Sequence, residues 1–409
     1  MNSRFLPWML CAVALNVGFG LADGQSRRLQ KLPTPRPAYD GTSIAARLPK
    51  TPPLTTSANA LLANIPVWSY SLAATKDGTT YTGQIVGGNP FARGGRTTTV
   101  NVVIIPLIIN ITQGVVPYSF DPTVGDGTCP VGASNAIAKT TASPVFTTSP
   151  WSINGVSQGT VTFPDAFQIA QFSAPLGYHL AFNVSTAATQ TLSYTVPAGG
   201  DATAAVFSVG GTQCGDVGPT NQSGRIGVVN INTLDVQLQT LITSLSLSAG
   251  QFPLFVTNDS VISNGAASTI GNCCILGYHS AVSFPGQTYG IAEFDRGTIF
   301  GPTTADVSVL SHEVMEWIND PSGNNLTPPW GVIGQVAGCQ GNFETADPLS
   351  GTLHTPVTLG GFTYHIQEAA FFSWFFNSLG TASLAQGGKF SSNGTFPGPA
   401  KACPPGGTN

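Results

Sequence analysis

Apolar residues in the first half of the chain follow the patterns of β-strands. Residues 97–111 form an almost unbroken apolar run, which predicts a buried strand pair or one long strand bent at Pro106. Shorter apolar runs, separated by Gly, Pro, Asn and Ser, predict further strands near Phe146, Val161, Leu180, Leu192 and Val206. We therefore expect residues 61–220 to be a β-rich region.

Helical periodicity appears only in the second half. Apolar residues recur at helical spacing in residues 233–247 and again in residues 305–319. The pair Asp320-Pro321 predicts the end of the second of these helices, because proline cannot continue a helix. Residues 365–379 are almost wholly apolar and predict a third helix.

The order of these elements indicates the fold class. Residues 252–256 and 288–294 have the apolar runs of strands and lie between the predicted helices. A chain that begins with many strands and continues with mixed strands and helices is typical of an α+β fold. Residues 221–409 are the expected mixed α/β region, although a single domain that spans the boundary near residue 220 is also compatible with the pattern.

The N-terminus has the pattern of a secretory signal peptide in residues 1–22. A short positive segment that ends at Arg4 precedes an apolar run to Ala22, with small residues near its end. An uncleaved membrane anchor is the alternative, because the run is just long enough to span a bilayer. Residues 23–60 are rich in Pro, Arg, Ser and Thr and predict a flexible basic linker or propeptide. We expect a secreted, periplasmic or extracellular protein, with no stable membrane insertion after signal cleavage.

Composition adds two constraints. Only 8 % of the residues are charged, and the net charge of −4 shows no basic excess, so nucleic acid is not an expected partner. Six cysteines follow the signal segment, and an even number in an exported chain favours disulfides. Because Cys273 and Cys274 are adjacent, we expect each of them to bond a different partner.

Glutamate is rare and unevenly placed. The chain contains only five glutamates, which are Glu293, Glu313, Glu316, Glu344 and Glu368. Three of them fall between positions 313 and 344. In a chain with so few charges, this clustering marks residues 305–344 as the first place to look for a site.

The predicted helix at residues 305–319 places its polar residues together. On a helical wheel, His312 and Glu316 are one turn apart, on the face opposite the apolar stripe, and Glu313 lies to one side. Ligands at positions i and i+4 of one helix are suited to hold a metal ion. A solvated helix face with ordinary charges is the alternative interpretation.

The stretch resembles the H-E-x-x-H signature of zincin metallopeptidases, with Glu316 in place of the second histidine. The resemblance implies that His312 and Glu316 bind a divalent metal and that Glu313 is the general base that takes a proton from metal-bound water. Carboxylate-rich ligation reduces the net charge of the site and also suits harder ions. Zn²⁺ is the expected ion, with Mn²⁺ and Ca²⁺ as alternatives.

A longer stretch is similar to secreted bacterial proteins that carry S-H-E-x-x-E-x-x-x-D-P. The matching residues are Ser311 to Glu316 followed by Asn319-Asp320-Pro321, with Gly277-Tyr278-His279 upstream and Glu344-Thr345-Ala346-Asp347 downstream. The similarity spans about residues 270–350. It implies an exported protein with a zincin-like site and transfers no established activity.

Several residues are candidates to complete the site. The resemblance to glutamate-type zincins implies a third ligand Glu on a later segment and a nearby Asp that orients a ligand histidine. Glu344 is accordingly the first choice for the third ligand, followed by Asp320 and then His279, and Asp347 is expected to orient His312 by a hydrogen bond. His279 and His365 are candidates for ligands or for groups that stabilise an oxyanion.

These observations predict a secreted metal-dependent hydrolase, most simply a peptidase that acts on a protein or peptide substrate. Glu313 and His279 are the expected catalytic residues, and His312, Glu316, Glu344 and Asp320 are the candidate metal ligands. The alternative is a non-catalytic secreted or cell-surface binding protein on a degenerate zincin-like scaffold.

Overall fold

The computed structural model describes residues 64–92, 94, 96–124, 135–173, 177–196, 200–206, 225–268, 273–282, 286–295, 304–377 and 387–403. The expected signal peptide at residues 1–22 and linker at residues 23–60 lie outside this part of the chain, as do Cys129 and Cys214. None of the helices in the described part is long and apolar enough to cross a bilayer.

Strands hold more of the described residues than helices do. In chain order they are β1 (Val67–Ala73), β2 (Thr80–Val86), β3 (Thr97–Gln113), β4 (Val116–Phe120), β5 (Ser149–Ile153), β6 (Val156–Val161), β7 (His179–Thr186), β8 (Gln190–Val196), β9 (Ala202–Val206), β10 (Arg225–Asn230), β11 (Gln251–Asn258), β12 (Ser260–Ser263), β13 (Cys273–Ile275), β14 (Gly277–Ala281), β15 (Thr288–Phe294), β16 (Leu326–Ile333), β17 (Val336–Asn342), β18 (Val357–Leu359) and β19 (Phe362–Tyr364).

The helices are short and separated by strands. They are α1 (Ala136–Ala142), α2 (Phe163–Phe172), α3 (Ile231–Ser244), α4 (Ser308–Asn319) and α5 (Phe372–Phe376), with one 3₁₀ turn at Asp347–Leu349. The protein is thus a strand-rich α+β structure, as the sequence predicted.

The long strand β3 is the centre of the largest sheet. Its first half pairs in parallel with β11 on one side and β7 on the other, and its second half pairs with β8 and β4. β11 continues through β15 to β14, which is the last strand on that side of the sheet. Strands from before and after residue 220 therefore share one sheet. The run at residues 97–111 is one strand that continues through Pro106.

Alternate residues of β3 reach two separate cores. Val102 and Ile104 face the core that contains α2 and α4, whereas Val103 and Ile105 face the core that contains α3. Both faces of the strand are covered, which explains why its sequence is an almost continuous apolar run rather than an alternating one.

The helix α4 is fixed to the sheet through its apolar face. The ring of Trp317 stacks on Phe252 of β11, with ring centroids 3.7 Å apart. Its indole Nε1 donates a hydrogen bond of 2.9 Å to the hydroxyl of Thr288 at the start of β15. The helix also packs against β14 and β15. Its polar side chains lie between β14, at the end of the sheet, and the segment that follows β17.

The predicted helix at residues 365–379 is wrong for most of its length, since only α5 is helical. The backbone N–H of His365 donates to Asp306 Oδ1 at 2.9 Å, and that of Gln367 donates to Ser311 Oγ at 3.0 Å. The N–H of Ala370 donates to the carbonyl of another segment in the same way. These donors are used in tertiary contacts and are not available for helical hydrogen bonds.

The expectation of separate partners for Cys273 and Cys274 is also wrong, because the two form a disulfide with each other. Neighbouring Cα atoms lie about 3.8 Å apart across a trans peptide bond, but these lie 3.0 Å apart across a cis bond. Cys339 bonds Cys403 across 64 positions of sequence. The disulfides are consistent with an oxidising compartment.

Candidate metal centre

The polar face of α4 is buried rather than solvated. Nε2 of His312 lies 3.0 Å from Oε2 of Glu316, one turn later on the helix. Only 8 % of His312 and 4 % of Glu316 are exposed. The segment that follows β17 covers this face, so the side chains meet protein atoms where a surface helix would meet water.

Glu316 is oriented by backbone groups. Its Oε1 accepts hydrogen bonds from the N–H of Ala346 at 3.2 Å and from the N–H of Asp347 at 3.1 Å. These bonds join the helix to the covering segment and fix the carboxylate. Its Oε2 is consequently directed toward His312.

Asp347 lies beside the same imidazole. Its Oδ1 is 3.4 Å from Nε2 of His312, and it also accepts a hydrogen bond from the amide of Gln335. Its Oδ2 accepts from Nε2 of Gln340 at 3.3 Å. Burial and the nearby charge of Glu316 raise the pKa of Asp347 to about 6, even though the hydrogen bond with His312 acts in the opposite direction.

The other ring nitrogen of His312 is held by Gln367. Nδ1 of His312 lies 3.1 Å from Oε1 of this glutamine, whose Nε2 donates to the carbonyl of Ala346 at 2.8 Å. The second bond fixes the orientation of the amide, so Oε1 must accept from Nδ1–H. Nε2 of His312 then faces Glu316 and Asp347. Burial alone lowers the pKa of His312, but the charge of Glu316 and the hydrogen bond to Asp347 raise it well above its ordinary value.

His279 enters the site from β14 with a similar arrangement. Its Nε2 donates to the backbone carbonyl of Asp320 at 2.9 Å, because a carbonyl oxygen can only accept. Its Nδ1 lies 3.6 Å from Oε2 of Glu313 and 4.0 Å from Oε2 of Glu316. Both imidazoles thus have one nitrogen bound to a protein acceptor and direct the other at the carboxylates.

Glu344 also lies in this cluster and is only 6 % exposed. Its Oε2 has no hydrogen-bond partner among the residues that the structure describes. Burial, together with the charges of Glu316, Asp320 and Asp347, raises the pKa of the Glu344 carboxyl well above its ordinary value. A buried carboxylate oxygen without a partner is costly unless a ligand binds it.

These side chains line one cavity of about 100 Å³. A single water needs only about 10–15 Å³, so the cavity has room for ions and coordinated solvent. Its acidic lining consists of Glu313, Glu316, Glu344 and Asp347. Among the described residues, no Lys or Arg lines it. His279 and His312 are therefore the groups of the described lining that can carry positive charge.

The donor atoms fall into two groups that share one member. One group contains His279, Glu316 and Glu344, and the other contains His312, Glu316 and Asp347. Within each group, all ligand atoms lie within 4.8 Å of one another. Bonds of about 2.0–2.6 Å, the range for Zn²⁺ and Ca²⁺ ligands, can span such a group. Each is therefore a candidate metal site.

Two other candidates from the sequence lie outside both donor groups. The carboxylate of Asp320 accepts the backbone N–H groups of Asn324 and Asn325 and shapes the turn after α4, and it belongs to neither donor group. His365 pairs with Asp306, with Nδ1 2.6 Å from Oδ2, and does not line the cavity.

Sequence reasoning missed Gln367 and the two glutamines that orient Asp347. A neutral amide carries no charge or motif that marks it. Its role depends on a contact with His312 across 55 positions of sequence. Asp347 was expected only to orient His312, and the structure also places it among the donor atoms.

No protein-family model, curated protein or solved structure matches this chain. The geometry of the cavity is therefore the basis for a proposed function.

Proposed function

We propose that this protein is a metal-dependent hydrolase that binds a divalent cation through His312, Glu316 and Asp347. The observation that supports the proposal most directly is the convergence of these three donors, with all ligand atoms within 4.8 Å. The hydrogen bond from Nδ1 of His312 to Gln367 leaves Nε2 as the ligand atom. A histidine ligand whose other nitrogen donates to a protein oxygen is the usual arrangement in metal sites.

The carboxyl groups of the cavity support cation binding independently of this geometry. Burying carboxylates is expensive unless they are paired or bind a metal. Glu313 and Glu344 add carboxyl groups to those of the ligand set, and no Lys or Arg of the described residues lines the cavity. A divalent ion would offset a large part of this cost.

Catalysis is assigned to Glu313, as the sequence suggested. A divalent ion supplies a Lewis acid and lowers the pKa of water. Glu313 lines the cavity next to His279, with its Oε2 3.6 Å from Nδ1 of the imidazole. Proton acceptance by Glu313 is the acid–base part of the proposal, and His279 could take up that proton only while its Nδ1 binds no ion.

A peptide is the substrate class that we propose. Among the described strands, β14 is the last of the seven-stranded sheet, and Gly277, Tyr278 and His279 of this strand line the cavity. An extended peptide can add to the edge of a sheet through backbone hydrogen bonds. Such a peptide would pass next to Glu313. The proposed setting is outside the cell, where the signal-like N-terminus would direct the chain.

Zn²⁺ is the proposed ion, and Mn²⁺ or Ca²⁺ are the alternatives that a carboxylate-rich site accepts. Elemental analysis of the natively purified protein measures which ion is present. Calorimetric titration of the metal-free protein with each ion then ranks their affinities. His312→Gln should weaken binding at least 10-fold, whereas the control His179→Gln, at a partly exposed histidine paired with Asp165, should not.

Hydrolysis is tested separately from binding. The wild-type protein with Zn²⁺ or Mn²⁺ should cleave a set of unstructured peptides, and Glu313→Gln should reduce the rate by about 100-fold or more while it retains the ion. If the wild type binds the ion but leaves intact every peptide that Glu313→Gln leaves intact, the protein is a non-catalytic binding protein. If it binds no divalent ion, the proposed function is wrong.

A further inference from the structure

One ion at His312, Glu316 and Asp347 leaves part of the cavity unexplained. His279 and Glu344 also line the cavity, and Glu344 is 94 % buried with no partner for its Oε2 among the described residues. We propose that a second divalent cation binds to His279, Glu316 and Glu344, and that Glu316 bridges the two ions. This inference rests on the proposed function, because it adds a second ion to the same cavity.

The division of the donors favours two ions over one ion with many ligands. In the described part of the chain, no group of mutually close donors contains both histidines. A single ion could therefore use one imidazole at a time. Each group separately has the ligand spacing of one ion, and Glu316 is common to both.

The orientation of Glu316 suits a bridge. Its Oε1 is occupied by the N–H groups of Ala346 and Asp347, so this oxygen is fixed at the wall of the cavity. Its Oε2 lies 3.0 Å from Nε2 of His312 and 4.0 Å from Nδ1 of His279. The same oxygen is therefore close to the ligand nitrogens of both groups.

The charge of the cavity fits two divalent cations better than one. Glu313, Glu316, Glu344 and Asp347 line it, and two divalent ions balance the charge of these four carboxylates when all are ionised, whereas one ion does not. The arrangement of His279 agrees with a ligand role, since its Nε2 donates to the carbonyl of Asp320 and leaves Nδ1 free to bind a metal.

The number of bound ions tests the proposal directly. The full chain is made metal-free with a chelator and titrated with Mn²⁺, and the stoichiometry is measured by elemental analysis after removal of unbound ion. We expect two Mn²⁺ per chain for the wild type and one for each of Glu344→Gln and His279→Gln. Asp347→Asn should also retain one, and the exposed control Asp77→Asn should retain two.

The bridge has a spectroscopic test. Two ions in one bridged site lie about 3.5–4 Å apart, so bound Mn²⁺ ions should be magnetically coupled. The electron paramagnetic resonance spectrum of the loaded wild type should lack the hyperfine pattern of isolated Mn²⁺. That pattern should appear in Glu344→Gln and in His279→Gln, each of which retains one ion.

The outcomes separate this inference from the proposed function. One ion in the wild type, or two in both Glu344→Gln and His279→Gln, overturns the second site and leaves the metal-dependent function standing. Two uncoupled ions overturn the bridge through Glu316. Binding of no ion overturns the proposed function together with this inference. Circular dichroism of each variant identifies any that is unfolded, and the other variant then decides the result.

Discussion

Oε2 of Glu316 lies 3.0 Å from Nε2 of His312, and both side chains are buried on the covered face of α4. The pair is one helical turn apart, so the helix itself sets the distance. The segment that follows β17 then adds Asp347 and the two N–H groups that fix Glu316. A local sequence pattern and a distant segment thus combine to make one donor group.

The first prediction concerns Gln367, which holds the non-ligand nitrogen of His312. Replacement by leucine removes the acceptor for Nδ1–H, so the imidazole loses its fixed tautomer and orientation. We expect Gln367→Leu to weaken divalent-cation affinity by about 10–100-fold. Calorimetric titration of the metal-free protein measures this loss. Gln158→Leu, on the β5–β6 hairpin, is the matched control, and equal affinities of the two variants would contradict the assignment.

The second prediction concerns the glycine that faces the proposed base. A Cβ on Gly277 would lie 2.9 Å from Cγ and Oε1 of Glu313 and 2.7 Å from the carbonyl of Ile291. Gly277→Ala should therefore displace Glu313 and destabilise the protein by about 1–3 kcal/mol. Hydrolysis should fall more than cation affinity, because neither ligand group contains Glu313.

Peptide cleavage, cation titration and denaturant unfolding of Gly277→Ala measure the three effects. The control is Gly398→Ala, where the added Cβ has no atom within 4 Å. A Gly277→Ala protein that cleaves peptides at the wild-type rate would show that the position of Glu313 is unimportant.

The sequence predicted those parts of the fold that depend on local periodicity. Residues 305–319 have a regular apolar stripe and end at Asp320-Pro321, and α4 lies within them. Residues 288–294 coincide with β15. Residues 365–379 are apolar without such a stripe. Hydrophobicity alone did not reveal that the backbone there bonds to other segments, and the helix prediction was wrong.

The sequence located the site on one helix and named Glu344, Asp347 and His279 as further candidates, but it did not show how these residues divide into two donor groups. His312, Glu313 and Glu316 were found from their spacing within α4. The association of Glu344 with His279, and of Asp347 with His312, depends on how β14 and the segment after β17 pack around the helix. Sequence separation does not encode these tertiary contacts, so the two donor groups could be described only from the structure.

The third prediction concerns the anchor of α4. Trp317 is fully buried, stacks on Phe252 and donates a hydrogen bond to Thr288. Trp317→Ala should destabilise the protein by about 3–5 kcal/mol, since it removes a large core side chain. Trp317→Phe keeps an aromatic ring but leaves the hydroxyl of Thr288 without this donor, and should cost about 1–3 kcal/mol. Denaturant unfolding of both variants measures which loses more stability. A larger loss of stability in Trp317→Phe than in Trp317→Ala would contradict this account of the anchor.

The fourth prediction is a pH dependence of stability that originates outside the metal centre. His354 is 95 % buried, and its ring packs edge-on against Trp151 and Phe163. This burial lowers its pKa to about 4, although the charge of Glu368 acts in the opposite direction. An unfolded histidine has a pKa of about 6.5. Between these values the unfolded chain binds a proton that the folded protein does not.

The contribution of His354 to the free energy of unfolding is therefore fully present above about pH 6.5. It is lost as the pH falls toward 4. A difference of about 2.5 pKa units corresponds to about 3 kcal/mol. Because other groups also titrate in this pH range, the quantity to measure is the difference in unfolding free energy between wild type and His354→Gln. In denaturant titrations with chelator present, wild type should lose about 3 kcal/mol relative to the variant between pH 7 and pH 4. A difference that stays constant over this range would show that His354 accepts a proton in the folded protein as readily as in the unfolded chain.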